Sequence, residues 1–253
     1  MNKTLCIILA RGGSKRLPGK NIKMLDGKPL LIHTVDAAMG MFNYVIVSSD
    51  SQEILDVVCK YRGAGMTPSS LDADGCIHPT SLILEHRPEH LATDKSKAID
   101  TVRYYFEAYD SWNDTKWDTI TLMLPTCPLR TKEHVKGALK KLDDKTDSVI
   151  SYTDYEFPIT LGLEVDNGFI TEHNKNCPFS NDDTRSQDHK PVYRPNGAIY
   201  AARWESFREH QNFFKGKVRG YYMPRESSID VDTELDFLVC ETLLKARRGK
   251  ENE

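Results

Sequence analysis

The segment Leu5-Cys6-Ile7-Ile8-Leu9-Ala10 is an unbroken apolar run that ends in a glycine-bearing loop. Apolar positions without alternation predict a strand buried on both faces, as in a parallel sheet. Pro29 opens a segment with Leu30, Leu31, Thr34, Val35, Ala38 and Met41 at helical spacing, with proline at the favoured first turn. Residues 44–49 predict a second buried strand. Residues 51–61 predict a helix with Ile54, Leu55, Val57 and Val58 inward and Ser49 or Asp50 as its cap. This alternation is the opening of a doubly wound α/β sheet.

The pattern then lapses. Residues 63–81 carry Gly, Pro, Ser and Asp with no period, which predicts a long loop or insertion. Order returns at 98–109, a helix with Ile99, Val102, Tyr105 and Phe106 on one face. A strand at 119–124, a threonine-capped helix at 131–142 with Glu133 in its first turn, and a strand at 147–152 follow. Residues 154–193 depart again, and Asp166-Asn167-Gly168 supplies the turn of a β-hairpin over 161–170. Such an excursion is either a dimer-building or lid element or a plain surface loop. Strands at 197–202 and 218–223 and a helix at 233–246 complete the chain. The helix has an apolar stripe of Leu235, Leu238, Val239, Leu243 and Ala246, and a charged, frayed tail follows from Arg247.

The 253 residues are 39% hydrophobic and 28% charged, a globular balance with enough apolar side chains for a core. No apolar run approaches the ~18–20 residues of a membrane span. The first run is also too short for a signal peptide, and Arg11 falls where a cleavage region would begin, so the expectation is a cytoplasmic protein. Six scattered cysteines without CxxC spacing predict reduced thiols. Cys76, His78, His86 and His90 place four possible zinc ligands within 15 residues, but Pro79 and Pro88 break any aligning helix, which favours a polar surface loop.

Charge is more telling in its distribution than in its total. The chain is −3 overall, yet residues 11–28 hold Arg11, Lys15, Arg16, Lys20, Lys23 and Lys28 against Asp26 alone. Interleaved Gly12, Gly13 and Gly19 turn this run into a candidate anion-binding loop, with backbone N–H groups free to approach a phosphate. It is neither a P-loop, which needs glycine at Ser14 and a hydroxyl at Asn21, nor a GxGxxG fingerprint. A nucleic-acid binder would interleave aromatics with the cations, and none occur there.

Three further constellations carry possible chemistry. Asp230 and Asp232, two apart on an extended segment, point to one face and suit a hard cation such as Mg²⁺. Their neighbours Thr233 and Asp236 equally form a helix capping box. Arg194, Asn196 and Gly197 suit an anionic polyhydroxylated ligand, or a simple turn. Phe213-Phe214 is either core, the favoured reading, or a wall for an apolar substituent.

The segments ILARGGSKRLPGKN (8–21), LPTCPLRT (124–131), RPNGAIY (194–200) and SIDVDTELD (228–236) occur in this order. Together they resemble the CMP-sialic acid synthetases (acylneuraminate cytidylyltransferases), a family that includes pseudaminic and legionaminic acid synthetases. The resemblance covers nearly the whole chain. It implies a single domain over 1–253 with a Rossmann-like nucleotidyltransferase fold, a mostly parallel sheet with helices on both faces and an inserted β-hairpin dimerisation element. It further implies a homodimer, Mg²⁺ dependence, and CTP and a nonulosonic acid as substrates, with no nucleic acid or membrane partner.

By the same resemblance, Leu9, Ala10 and Arg11 meet cytosine and phosphates. Gly12, Gly13, Ser14 and Lys20 form the phosphate cradle, Asn21 contacts ribose or base, and Arg87 lies near cytosine. Leu124, Arg194, Asn196, Tyr200, Phe213 and Phe214 surround the sugar. Asp230 and Asp232 hold metal, with Asp230 alternatively the general base, and Arg11 and Lys20 join them as catalytic groups. The family often has Gln at the place of Leu124 and Ser at that of Cys127, and an Arg where this chain has Ser186. These departures fall on the sugar side, so the acid's identity stays open. A Kdo-type cytidylyltransferase is the rival, which Asn21 and RPNGAIY oppose; a non-catalytic nucleotide-sugar binder is the alternative from another class.

Overall fold

The computed structural model describes residues 3–62, 65–66, 70–71, 77–78, 80–111, 116–157, 159–173 and 190–251. The central sheet has eight strands. The main ones are β1 (Lys3–Leu9), β2 (Tyr44–Ser49), β3 (Ser81–His86), β4 (Trp117–Met123) and β5 (Ser148–Asp154). Beyond the hairpin strands β6 (Leu163–Asp166) and β7 (Phe169–Glu172) come β8 (Tyr193–Arg203) and β9 (Val218–Tyr222). The order is β9-β5-β8-β4-β1-β2-β3, with Gly65–Met66 paired outside β3. β1 lies parallel to β2 and β4, β2 to β3, and β5 to β9, while β8 runs antiparallel between β4 and β5. The expected mostly parallel α/β sheet is therefore present.

The helices are α1 (Leu30–Ala38), α2 (Gln52–Arg62), α3 (Ala98–Asp110), α4 (Lys132–Leu139), α5 (Trp204–His210) and α6 (Glu234–Glu251). Leu31 and Val35 of α1, Leu55 and Val58 of α2 and Val135 of α4 pack on one face against Cys6, Ile8, Val45 and Val47. Tyr105 and Phe106 of α3 and Trp204 and Phe207 of α5 pack on the other against Leu5, Ile7, Ile46 and Ile120. Alternate residues of β1 thus serve opposite cores, which explains why its stretch from Leu5 to Leu9 has no polar positions.

Several expectations change. β3 lies in a stretch without an assigned strand, because its SLILEH run is short and follows a polar segment. Much of 63–81, including Cys76, lies outside the described residues, as do residues 174–189. Among the described residues no cluster of three or more metal-ligating side chains forms, and no helix is long and apolar enough to cross a membrane. The hairpin forms as expected, with Asn167 (φ 47°) and Gly168 (φ 84°) both left-handed, as its two-residue turn requires.

The last helix is rotated relative to its expected stripe. α6 buries Phe237 and Cys240, while Leu235 is 69% and Leu238 52% exposed. Its anchor is a small third core of Leu17, Leu25, Leu30, Leu129, Val231, Phe237 and Cys240. Arg247 is not frayed: it belongs to α6 and donates to the Leu129 and Glu226 carbonyls and to Ser227 Oγ. Phe237→Ala should therefore cost ~3–5 kcal/mol in urea denaturation, whereas Leu238→Ala should stay within about 0.5 kcal/mol.

Candidate active site

Four parallel strands end at one edge, and each delivers a side chain there. Arg11 follows β1, Asp50 follows β2, Arg87 follows β3 and Leu124 follows β4. Open α/β sheets bind ligands outside the carboxyl ends of their strands. Here that edge holds a cleft of about 490 Å³, lined by the loop after β1, the turn after β4 and the start of α3. Arg11, Lys15, Arg16, Lys20, Arg87 and Lys97 line it, against one carboxylate, Asp232. Leu9, Ser14, Asn21, Leu124 and Thr126 complete the parts used below.

The basic loop is held by side chains more than by a cradle of free amides. The Gly12 N–H donates to Asp50 Oδ1 (2.9 Å) and the Ser14 N–H to the Gly12 carbonyl (2.9 Å). Those two donors are thus engaged, contrary to the expected phosphate cradle; at Gly13 a Cβ would meet no atom within 4 Å. Asn21 is buried and donates to the Arg11 carbonyl (2.9 Å), so its amide shapes the loop. Ala10 is fully buried, and its carbonyl accepts from Arg87 Nη2 (2.8 Å). Arg87 also donates to Ser48 O (2.6 Å) and Ser48 Oγ (3.1 Å), and its burial lowers its pKa.

The acid pair is presented by alternation. Val231 is fully buried in the third core, so its neighbours Asp230 and Asp232 turn away from it. The Val231 N–H donates to the Thr126 carbonyl (2.8 Å), which ties the pair to the turn after β4. Thr233 N and Oγ1 both donate to Asp236 Oδ2 (2.7 Å each), and the Asp236 N–H returns to Thr233 Oγ1 (3.3 Å); this is the expected capping box. Asp232 takes Arg16 (2.7 Å) and Lys20 (3.0 Å), and Lys20 also donates to the Val231 carbonyl (2.7 Å). Asp230 opens to solvent but sits in a recess dense with protein atoms. That crowding raises its pKa, and the neighbouring Asp232 charge raises it further.

The structure sorts the residues expected to surround the sugar. Arg194 lies within electrostatic reach of Asp230, as does Tyr200, whose hydroxyl is pushed up to about 12 chiefly by burial. Asn196 does not face a ligand. It is buried, its Oδ1 accepts from Ser151 Oγ (2.6 Å) and Ala198 N (3.1 Å), and its Nδ2 donates to Ser228 Oγ (2.9 Å). These bonds fill a bulge in β8, where Ser151 alone on β5 opposes residues 196–199. Gly197 (φ 74°) makes the bend. Phe213 is core, 3% exposed and 5.1 Å from the Phe207 ring, while Phe214 is 58% exposed beside Tyr200.

Sequence reasoning passed over four participants. Lys15 and Arg16 lay in the basic run without an assigned role. Asp50 carried a signal, its place just after a buried strand. Arg130 is fully buried and donates to Ala198 O (2.6 Å) and Thr34 Oγ1 (2.7 Å). It forms no salt bridge among the described residues, and desolvation lowers its pKa to about 10.

Comparisons with known proteins fit this geometry. A family model described as cytidylyltransferase matches residues 5–75. The CMP-N,N'-diacetyllegionaminic acid synthase of Legionella pneumophila is 32% identical over 96% of this chain and 97% of its own length. The chain belongs to the cytidylyltransferase family. The N-acylneuraminate cytidylyltransferase of Streptococcus agalactiae serotype V is 32% identical over 93% of this chain; the match spans about half of that relative, 52% of its length. Among solved structures, a CMP:2-keto-3-deoxy-manno-octonic acid synthetase complexed with CTP aligns over 97% of this chain and 100% of its own, with a TM-score of 0.63 and 16% identity. That likeness concerns the fold. The RPNGAIY segment thus combines groups near Asp230, namely Arg194 and Tyr200, with an internal brace, Asn196. Asn196→Ala should cost about 1–3 kcal/mol in chemical denaturation, because the buried Ala198 N–H loses its Asn196 acceptor and Ser151 and Ser228 each lose one bond, whereas Arg194→Ala should leave stability within about 0.5 kcal/mol.

Proposed function

We propose that the protein activates a nonulosonic (sialic-type) acid: CTP + nonulosonate → CMP-nonulosonate + pyrophosphate. The observation that carries this reading is the cation-lined cleft at the strand ends, with Asp232 of the acid pair in its wall. The anomeric hydroxyl oxygen attacks the α-phosphorus of CTP, the bond to the β-phosphate oxygen breaks, and pyrophosphate departs. The hydroxyl proton passes to water. Arg11, Lys15, Arg16 and Lys20 neutralise the triphosphate, and Arg87, Leu9 and the start of α3 form the wall for the base. Arg194 pairs with the acid's carboxylate, and Tyr200 and Phe214 flank the sugar.

The donor set fits a magnesium ion. Asp230 and Asp232 offer only hard oxygens, and Asp230 is an anion that crowding and a like charge destabilise. When bound there, the ion supplies charge neutralisation at the α-phosphate and lowers the pKa of the attacking hydroxyl. This assigns Asp230 to the metal, since a carboxylate holding a cation is a poor base.

We further place the enzyme in the cytoplasm as a homodimer, its activated sugar feeding cell-surface polysaccharide synthesis. The 154–193 excursion is the dimerising or sugar-covering element of a single domain. Its support is the hairpin's unburied apolar surface, with Phe169 77% and Ile170 65% exposed. Pyrophosphate release with CTP, Mg²⁺ and a panel of nonulosonic acids should show turnover with at least one of them. Turnover with a Kdo-type acid alone would move the substrate class, and silence with every acid would overturn the function. Asp232→Asn should abolish turnover while CTP still binds; near-normal turnover would remove the metal assignment.

A further inference from the structure

The loop after β1 is strung between two carboxylates, Asp232 before α6 and Asp94 before α3. Arg16 and Lys20 pair with Asp232. The other two cations turn to Asp94, with Lys15 Nζ 2.8 Å from Oδ2 and Arg11 Nη1 3.8 Å from Oδ1. Asp232 belongs to the acid pair already assigned. Asp94 lies outside the four segments that carry the resemblance, in the turn before α3, whose neighbours Leu91, Ser96 and Lys97 line the cleft.

Asp94 stands on a braced ledge. The Thr93 N–H donates to Ser96 Oγ (3.1 Å), and Ser96 Oγ donates to the His90 carbonyl (3.0 Å). Lys15, by contrast, extends from a loop with open space beside Gly13. All three charged side chains are largely exposed, and the hydrogen bond from Lys15, followed by its charge, lowers the Asp94 pKa. A solvent-exposed ion pair is weakly held. A polyphosphate presents several anionic oxygens to the same cations and forms stronger charge-assisted bonds. It would therefore take Lys15 and Arg11 from Asp94, and the freed carboxylate would then stand near the phosphates as a like charge.

We propose that Asp94 is a positioning residue that holds Lys15 and Arg11 in place of the departing pyrophosphate group and reclaims them when it leaves. The inference rests on the cleft being the nucleotide site. Inorganic pyrophosphate titrated calorimetrically into the full chain tests it without turnover. Asp94→Asn should bind pyrophosphate roughly two- to fivefold more tightly than the unmodified protein, the range of an exposed pair lost as a competitor. In turnover the same variant should be more strongly inhibited by pyrophosphate. Asp94→Glu should restore the original affinity. Equal or weaker binding by Asp94→Asn would overturn the role, and weaker binding would make Asp94 a structural latch instead. A glutamate variant as tight as the asparagine one would also overturn it. In each of these cases the proposed reaction still stands, whereas an unmodified protein that binds no pyrophosphate removes both.

Discussion

A patch of apolar side chains beneath the charges governs the site. Leu17 comes from the basic loop, Leu129 from the turn after β4, Val231 from between the two acids and Phe237 from α6. Like-charged groups do not gather unaided, and opposite charges in water hold each other weakly. Burying Leu17 and Val231 in one core removes that difficulty, because their polar neighbours then face each other across the cleft. Arg130 completes the frame. Its guanidinium links the turn carbonyl of Leu124 (3.4 Å) to Ala198 on β8 and Thr34 on α1. Thr126 in the same turn holds Val231.

The cleft's loop cations are paired within the chain. They rest on carboxylates, and Arg87 rests on carbonyl oxygens. An incoming anion would exchange partners with groups already near it. The glycines of the loop serve this arrangement differently from those of a phosphate nest. Gly12 admits the approach of the turn after β2: a Cβ there would stand 3.1 Å from that of Ser51.

Much of the fold was legible because buried strands write themselves as apolar runs. β1 and β2 were placed to within a residue or two, and the hairpin turn by two residues that tolerate left-handed backbone. β3 was missed since six residues beside a polar segment show no period. The α6 stripe failed for a different reason. Leu235, Leu238 and Val239 satisfy helical spacing as well as Phe237, Cys240 and Leu244 do, and only the site's small core selects between them. In the site, residues adjacent in sequence to their chemistry were legible, such as Lys20 and Asp232. Asn196 was misread because an amide in a ligand-like motif looks the same whether it braces or binds. Asp94 lies 79 positions from Lys15, and nothing local marks the pairing.

The bulge in β8 has a consequence for how the chain tolerates change. Upstream of it, residues 193–195 pair with the outer end of β5; downstream, residues 200–203 lie locked between β4 and β5. Side-chain bonds from Asn196 and Ser151 take over where the ladder is interrupted. A slip in a continuous strand would turn every later side chain to the opposite face. Here the interruption acts as an expansion joint: the excursion between β5 and β8 can lengthen, shorten or shift, and the strain ends before Tyr200.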